Sequence, residues 1–192
     1  MEGHGEVASV HNLVTRLSHE VGFELPWTKP RRWPNLHQWN AQNRGGVVAG
    51  VEFIRSKPDA GALLILRDED DACPRDLAPQ MAERLRRRNL PFPTAYVLLH
   101  PEYEVLFLPC LEGMGFPPWD RNSWEARRGI KEWLCGQLPK GRSYKPTVDQ
   151  LPMTRQIDFR MLREADVPSF GSLERAIGFL SVHLDEKRSV YP

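Results

Sequence analysis

The chain has 192 residues, 41% of them hydrophobic and 27% charged, which suits one globular core and excludes an intrinsically disordered chain, collagen and a coiled coil. Lys plus Arg number 26 against 25 for Asp plus Glu, so overall charge does not argue for wrapping a nucleic acid, and any such binding must come from a local patch. Apolar stretches such as residues 60–66 fall far short of the roughly 18 to 20 residues of a membrane span, and no signal-peptide pattern opens the chain. The expectation is a soluble, cytoplasmic protein with no membrane association. Cys73, Cys110 and Cys135 are odd in number and widely spaced, so a disulfide framework is not expected, and buried inert thiols suit them better than a zinc site.

In chain order, Val7, Val10, Leu13, Val14, Leu17 and Val21 recur at helical spacing and predict an amphipathic helix over residues 5–20. Residues 22–46, rich in Pro, Asn and Arg with Trp27, Trp33 and Trp39, read as a long loop with the character of a binding surface. A short helix over 47–57 leads through Pro58 and Gly61 into the apolar run 62–66, of strand length and bounded by turn residues, as for a strand covered on both faces. After the acidic stretch 67–71 a helix follows, with Asp76 as its expected N-cap, Pro79 in its first turn and Leu77, Met81 and Leu85 as its buried stripe. A second strand is predicted over 94–99 and a helix over about 102–108. From about Asn122 the pattern gives helices over 123–138, 154–164 and 172–184, joined by a Pro- and Lys-rich loop. Alternating helices and strands imply an α/β fold with a mainly parallel sheet flanked by helices. The division expected is a core over 1–120 and a helical C-terminal extension over 121–192 packed on it.

Four carboxylates fall within Arg67 to Asp71, where a buried strand emerges and where open parallel sheets gather ligands. Along a strand Asp68 and Asp70 point one way and Glu69 the other. Two aspartates held close repel unless a cation lies between them, and hard oxygen ligands suit Mg²⁺ or Mn²⁺. A solvated acidic turn is the alternative. Seven basic residues, Arg121, Arg127, Arg128, Lys131, Lys140, Arg142 and Lys145, stand against Glu125 and Glu132 over 121–145. Further basic residues lie at Arg84, Arg86, Arg87 and Arg88, and at Lys29, Arg31 and Arg32 beside the early tryptophans. Such clusters suit phosphate contacts with base stacking, or simply form solvated faces. No phosphate-binding P-loop, zinc-protease or serine-hydrolase motif occurs.

Glu2-Gly3 and Glu6 ahead of a helix, followed by an apolar strand ending in Asp68 and Asp70, resemble the Toprim fold of topoisomerases, primases and overcoming-lysogenization-defect nucleases. More specifically, the chain resembles the bacterial Toprim-like domain-of-unknown-function 4276 family. The resemblance is carried by residues 64–70, by Glu102-Tyr103-Glu104 with the apolar residues 105–108, by the helix around Lys131-Glu132-Trp133-Leu134, and by the tail from Tyr144 through Asp149-Gln150 to Ser169-Phe170. It implies that Glu2 is the general acid or base, that Asp68 and Asp70 hold a catalytic Mg²⁺ or Mn²⁺ with Glu2, and that Glu104 is a further ligand or a structural partner. Glu6 either assists the metal or solvates the first helix turn. Relatives carry an apolar strand running into Glu-Gly, so a native start upstream of Met1 is expected.

The function expected is a metal-dependent nuclease, a hydrolase of DNA or RNA phosphodiester bonds, with residues 121–145 guiding the strand. The resemblance further implies an anti-phage defence effector controlled by an ATPase of the ABC or SMC type. The rival is a non-catalytic subunit that binds the ATPase or nucleic acid, with the tryptophan loop as interface. A topoisomerase would need a nucleophilic tyrosine, for which Tyr96, Tyr103, Tyr144 and Tyr191 offer no context. The substrate stays open, as does assembly into a homo-oligomer.

Overall fold

The computed structural model describes residues 1, 6–22, 26–119 and 129–192. Its strands are β1 (Leu63–Asp68), β2 (Thr94–Leu99) and β3 (Val190–Tyr191). They form one sheet in the order β1-β2-β3 with both pairings parallel, Leu63 opposite Thr94 and Asp68 opposite Leu99. The helices are α1 (Glu6–Glu20), α2 (Gly46–Arg55), α3 (Pro74–Arg86), α4 (Ile130–Gln137), α5 (Pro146–Thr154), α6 (Phe159–Glu164) and α7 (Pro168–Val182), with a 3-10 helix over Tyr103–Cys110. The protein is therefore an α/β fold whose small parallel sheet is flanked by helices, as the alternation of elements predicts. No helix among the described residues is long and apolar enough to cross a membrane.

Strand alternation divides the interior in two. Leu66, Ala95, Val97 and Leu99 face a layer containing Leu13 and Leu17 of α1 and Leu173, Ile177 and Leu180 of α7. Ile65, Tyr96 and Leu98 face the opposite layer, with Val47 and Val51 of α2 and Met81 and Leu85 of α3. Every residue of β2 is buried, as befits a central strand of a parallel sheet. The 3-10 helix is apolar nearly all round and runs through the larger core with seven of its eight residues buried.

Several boundaries differ from the sequence reading. β1 ends at Asp68 rather than Leu66 because its ladder continues alongside Leu98 and Leu99. The N-cap of α3 is Cys73, not Asp76: the Asp76 and Leu77 amides close the first turn on the Cys73 carbonyl at 3.1 and 3.0 Å. Pro74 takes the position where its missing N–H costs least, which puts Pro79 inside the helix, beyond the first turn. The segment expected as an α-helix over 102–108 is the tighter 3-10 form. The Pro- and Lys-rich stretch contains α5, entered through Pro146, and the helix expected over 154–164 begins only at Phe159, behind an Asp158 cap whose side chain accepts from the Arg160 amide. The helix expected over 123–138 is seen as α4 from Ile130, residues 120–128 lying outside the described set.

The tail strand β3 is too short to read from sequence. Arg86 of α3 donates to the Val190 carbonyl at 3.0 Å, and the Arg188 amide to Leu90 at 3.0 Å. Of the basic run 84–88, Arg88 pairs with Glu52 of α2, so Arg86 and Arg88 tie α3 to other elements, whereas Arg87 pairs with Glu83 on the exposed face of α3 itself. Replacing Leu99, 1% exposed on β2, by Ala is expected to cost about 2–5 kcal/mol in urea unfolding. The same change at Val182, 71% exposed, is expected to stay within about 0.5 kcal/mol.

Candidate functional site

The carboxyl ends of β1 and β2 and the start of α4 bring together residues that are far apart in sequence. Asp68 closes β1. Glu102 precedes the 3-10 helix and Glu104 lies in its first turn. Gly129, with φ +87, adopts a left-handed conformation that glycine tolerates and sets α4 going two residues before Lys131. The Lys131 amide then donates to Glu102 Oε1 at 3.2 Å, so one carboxylate caps the helix that carries the lysine.

The Lys131 ammonium sits among three carboxylates: Nζ lies 2.8 Å from Glu102, 3.4 Å from Glu104 and 3.9 Å from Asp68. Glu104 is 0% exposed. Its Oε1 accepts from the Tyr144 hydroxyl at 2.8 Å and from Gln150 Nε2 at 3.1 Å, while Oε2 faces Lys131 and accepts no hydrogen bond. Burial pushes Glu104 above the ordinary carboxylate range, and the pull of Lys131 and Tyr144 the other way does not cancel it. At Lys131 burial works against the charge, but Glu104, Glu102 and Asp68 outweigh it and hold the ammonium above its ordinary value. With three carboxylates against one ammonium, the cluster carries an excess of negative charge when all are ionised.

The acidic run of β1 splits into members with different tasks. Glu69 forms a buried ion pair with Arg67, which also donates from Nε to the Tyr96 hydroxyl at 2.8 Å. Glu69 Oε1 further accepts from the Ala72 and Asp71 amides at 2.8 and 3.2 Å, so this carboxylate holds the turn that leads into α3. Burial would raise its pKa, but the Ala72 amide and Arg67 outweigh that and hold it below the usual carboxylate range. Asp70 is exposed and enters no ion pair among the described residues. Of the two aspartates expected to act together, Asp68 joins Glu102 and Glu104 around Lys131 and Asp70 is exposed in the turn that follows.

Of the expected basic surface, Lys131 turns inward to the carboxylates, Lys140 and Lys145 are exposed, and Arg142 pairs with Asp149 at 3.0 Å. Arg121, Arg127, Arg128 and Glu2 lie outside the described residues, as does the side chain of Glu6. Sequence reasoning missed Glu102, Lys131 and Gln150 as parts of one cluster. Glu102 was visible only as a member of Glu102-Tyr103-Glu104. The Tyr144 hydroxyl is pushed up by its burial and then by Glu104, the opposite of what a nucleophilic tyrosine needs. Cys73, Cys110 and Cys135 are free thiols. Among the described residues no three His, Cys, Asp or Glu side chains are spaced to share a metal ion as they stand.

Comparison of the chain with protein-family models, curated proteins and solved structures gave no match.

Because Glu69 has a depressed pKa in the fold, its stabilisation is present above its unfolded value of about 4.3 and fades as pH falls through the lower folded value. Glu69→Gln leaves Arg67 buried without its counter-ion and is expected to cost about 3–5 kcal/mol at pH 7. Urea unfolding at stepped pH should show the gap to wild type closing below about pH 4. A gap independent of pH would show that the pair does not carry this stabilisation.

Proposed function

We propose that the protein is a Mg²⁺- or Mn²⁺-dependent phosphodiesterase that cuts DNA or RNA at the carboxyl edge of the sheet. The observation that carries this reading is the convergence of Asp68, Glu102 and Glu104 on one cationic position, now held by Lys131. The donor set is all oxygen, the chemistry a hard divalent cation prefers. Glu104 Oε2, buried and accepting no hydrogen bond, offers it a lone pair. The lysine side chain is 34% exposed, so its ammonium has a path outward when a metal takes its place.

A bound divalent ion would activate water and offset charge on the phosphate. Asp68, Glu102 and Glu104 would hold it. Tyr144 and Gln150 fix the orientation of Glu104, and such partners of a ligand tune affinity. Lys131, once withdrawn, supplies a positive charge beside the scissile phosphate. Exposed Lys140 and Lys145 guide the sugar-phosphate backbone. From the Toprim resemblance we carry over Glu2 as the group that handles the proton, Asp70 as a supporting carboxylate, an ABC- or SMC-type ATPase as controlling partner, and a place in anti-phage defence.

One observation favours a second reading. Lys131 already neutralises part of the buried carboxylate charge, as in a structural ion-pair cluster, and this fits a non-catalytic subunit that binds the ATPase or nucleic acid. Calorimetry with Mn²⁺ and cleavage of plasmid, single-stranded DNA and transfer RNA, each with Mg²⁺, Mn²⁺ or EDTA, separate the two. The nuclease reading expects Asp68→Ala to weaken metal binding about 10–100-fold and abolish EDTA-sensitive cleavage, with Asp70→Ala the milder change. No metal binding by wild type or by Lys131→Met would leave the non-catalytic subunit.

A further inference from the structure

At the end of α4 opposite Lys131 lies a cavity of about 350 Å³, within the range of small-ligand sites. Three stretches of chain build it. The short 3-10 turn Glu112–Met114 is stopped by Gly115 at φ +82, a left-handed conformation that other residues rarely adopt. The Phe116 amide then returns to the Leu111 carbonyl at 2.9 Å, and Met114 and Phe116 both reach the cavity wall. Gln137 comes from the end of α4, and Met153 and Gln156 from the end of α5 and the residues just past it. Tyr144 is shared: it lines the cavity while its hydroxyl bonds Glu104 of the acidic cluster at 2.8 Å.

The walls are of two kinds. Met114, Phe116 and Met153 offer an aromatic ring and two polarisable thioethers, surfaces that suit a flat aromatic ligand. Gln137 and Gln156 add side-chain amides. Gln156 Nε2 donates to the Pro152 carbonyl at 3.2 Å, which leaves its Oε1 and second N–H for a ligand, and Gln137 makes no side-chain hydrogen bond among the described residues. An amide that both donates and accepts fits the edge of a neutral ring with donors and acceptors of its own. The mouth is cationic. Arg142 lines it, and exposed Lys140 and Lys145 lie two and three residues away in the same loop. The acid among the lining residues, Asp149, is already taken by Arg142 at 3.0 Å and by the Lys145 amide at 2.8 Å. Arg142 uses Nη2 in that pair, and its Nε and Nη1 are left for a second acceptor.

We infer that this cavity seats a nucleotide. The nucleobase enters between Met114, Phe116 and Met153 with its edge on Gln137 and Gln156, and the phosphate stays at the mouth on Arg142, Lys140 and Lys145. A purely apolar ligand would leave the amides unpaired, and a bare anion would make no use of the ring and the thioethers, whereas a base joined to a phosphate answers both. The nucleotide belongs either to a bound strand or to a free mononucleotide, which offer the same groups. The strand source rests on the nuclease reading, since Tyr144 joins the cavity wall to Glu104, while nucleotide binding itself does not.

The test is NMR of the full chain in EDTA, so that no strand is cut, following the Met114 and Met153 methyl signals and the Gln137 and Gln156 side-chain amides. The probes are nucleoside monophosphates, the matching nucleosides, ribose phosphate, and oligothymidylate of about four nucleotides. Nucleotides are expected to shift both methyls and both amides saturably, nucleosides to do so about tenfold more weakly, and ribose phosphate to leave the methyls unmoved. Arg142→Ala should bring nucleotide affinity down toward that of the nucleoside, and Lys140→Ala, which leaves the Arg142–Asp149 pair intact, should lower it as well. A strand source predicts that oligothymidylate binds about tenfold more tightly than thymidine monophosphate, and equal affinities assign the cavity to a free nucleotide. Methyls unmoved by every nucleotide, or shifted equally by ribose phosphate, would overturn the inference, as would shifts confined to Lys140 and Lys145, which describe a bare basic surface. A protein that cuts strands while these methyls stay unmoved refutes this inference alone, and one that binds nucleotides here but never cuts with Mg²⁺ or Mn²⁺ refutes the nuclease reading alone.

Discussion

A carboxylate with no exposure to water must find positive charge or give up its own, and Glu104 faces Lys131, which offsets part of the burial that still holds its pKa above the ordinary range. The consequences spread through the molecule. Lys131 belongs to α4, whose first turn is capped by Glu102, so α4 is tied to the segment that follows β2 by charge and by a hydrogen bond from its backbone amide to the Glu102 carboxylate. Glu104 also holds Tyr144, just ahead of α5, and Gln150 within it. Thr154 at the end of α5 bonds the Tyr103 hydroxyl at 2.9 Å, and Arg16 of α1 caps the Thr154 carbonyl at 2.7 Å. One buried carboxylate thus organises a polar seam through the larger core, and the proposed metal position lies on that seam.

The sheet supplies the frame. β2, buried along its whole length, fixes the height at which Asp68 and Glu102 emerge, because the two strands end in register. The Arg67–Glu69 pair then turns the chain into α3 and removes Glu69 from the acidic edge. What remains there is Asp68, held toward Lys131, and Asp70, left in solvent. Adjacent carboxylates in one short run so acquire separate roles through the partners each one meets.

Much of this was legible in the sequence, and the parts that were not share a physical reason. The 94–99 strand was readable because a short apolar run before a turn has few other solutions, and the acidic edge because four carboxylates follow an apolar strand. The grouping of Asp68 with Glu102, Glu104 and Lys131 was not readable, since Lys131 lies 29 residues from Glu102 and Gln150 lies 46 from Glu104, and no periodicity records such pairings. Lys131 reads as one of seven cations in a basic stretch, and only the fold shows its ammonium turned inward. α5 was hidden because prolines suggest a loop, although Pro146 is well suited to a first helical turn. β3, two residues long, owes its existence to β2 and Arg86 rather than to its own propensity.

The central claim is that Asp68, Glu102 and Glu104 form a single cation position that Lys131 and a divalent ion occupy in turn. Paramagnetic broadening of amide and lysine side-chain signals by Mn²⁺ tests it directly, because the broadening maps where the ion sits. The account predicts saturable loss centred on Asp68, Glu104 and Lys131, with the Lys131 side-chain signals among the first to go, and its disappearance in Asp68→Ala. Broadening confined to the exposed turn around Asp70 and Asp71, or none that saturates, would contradict it.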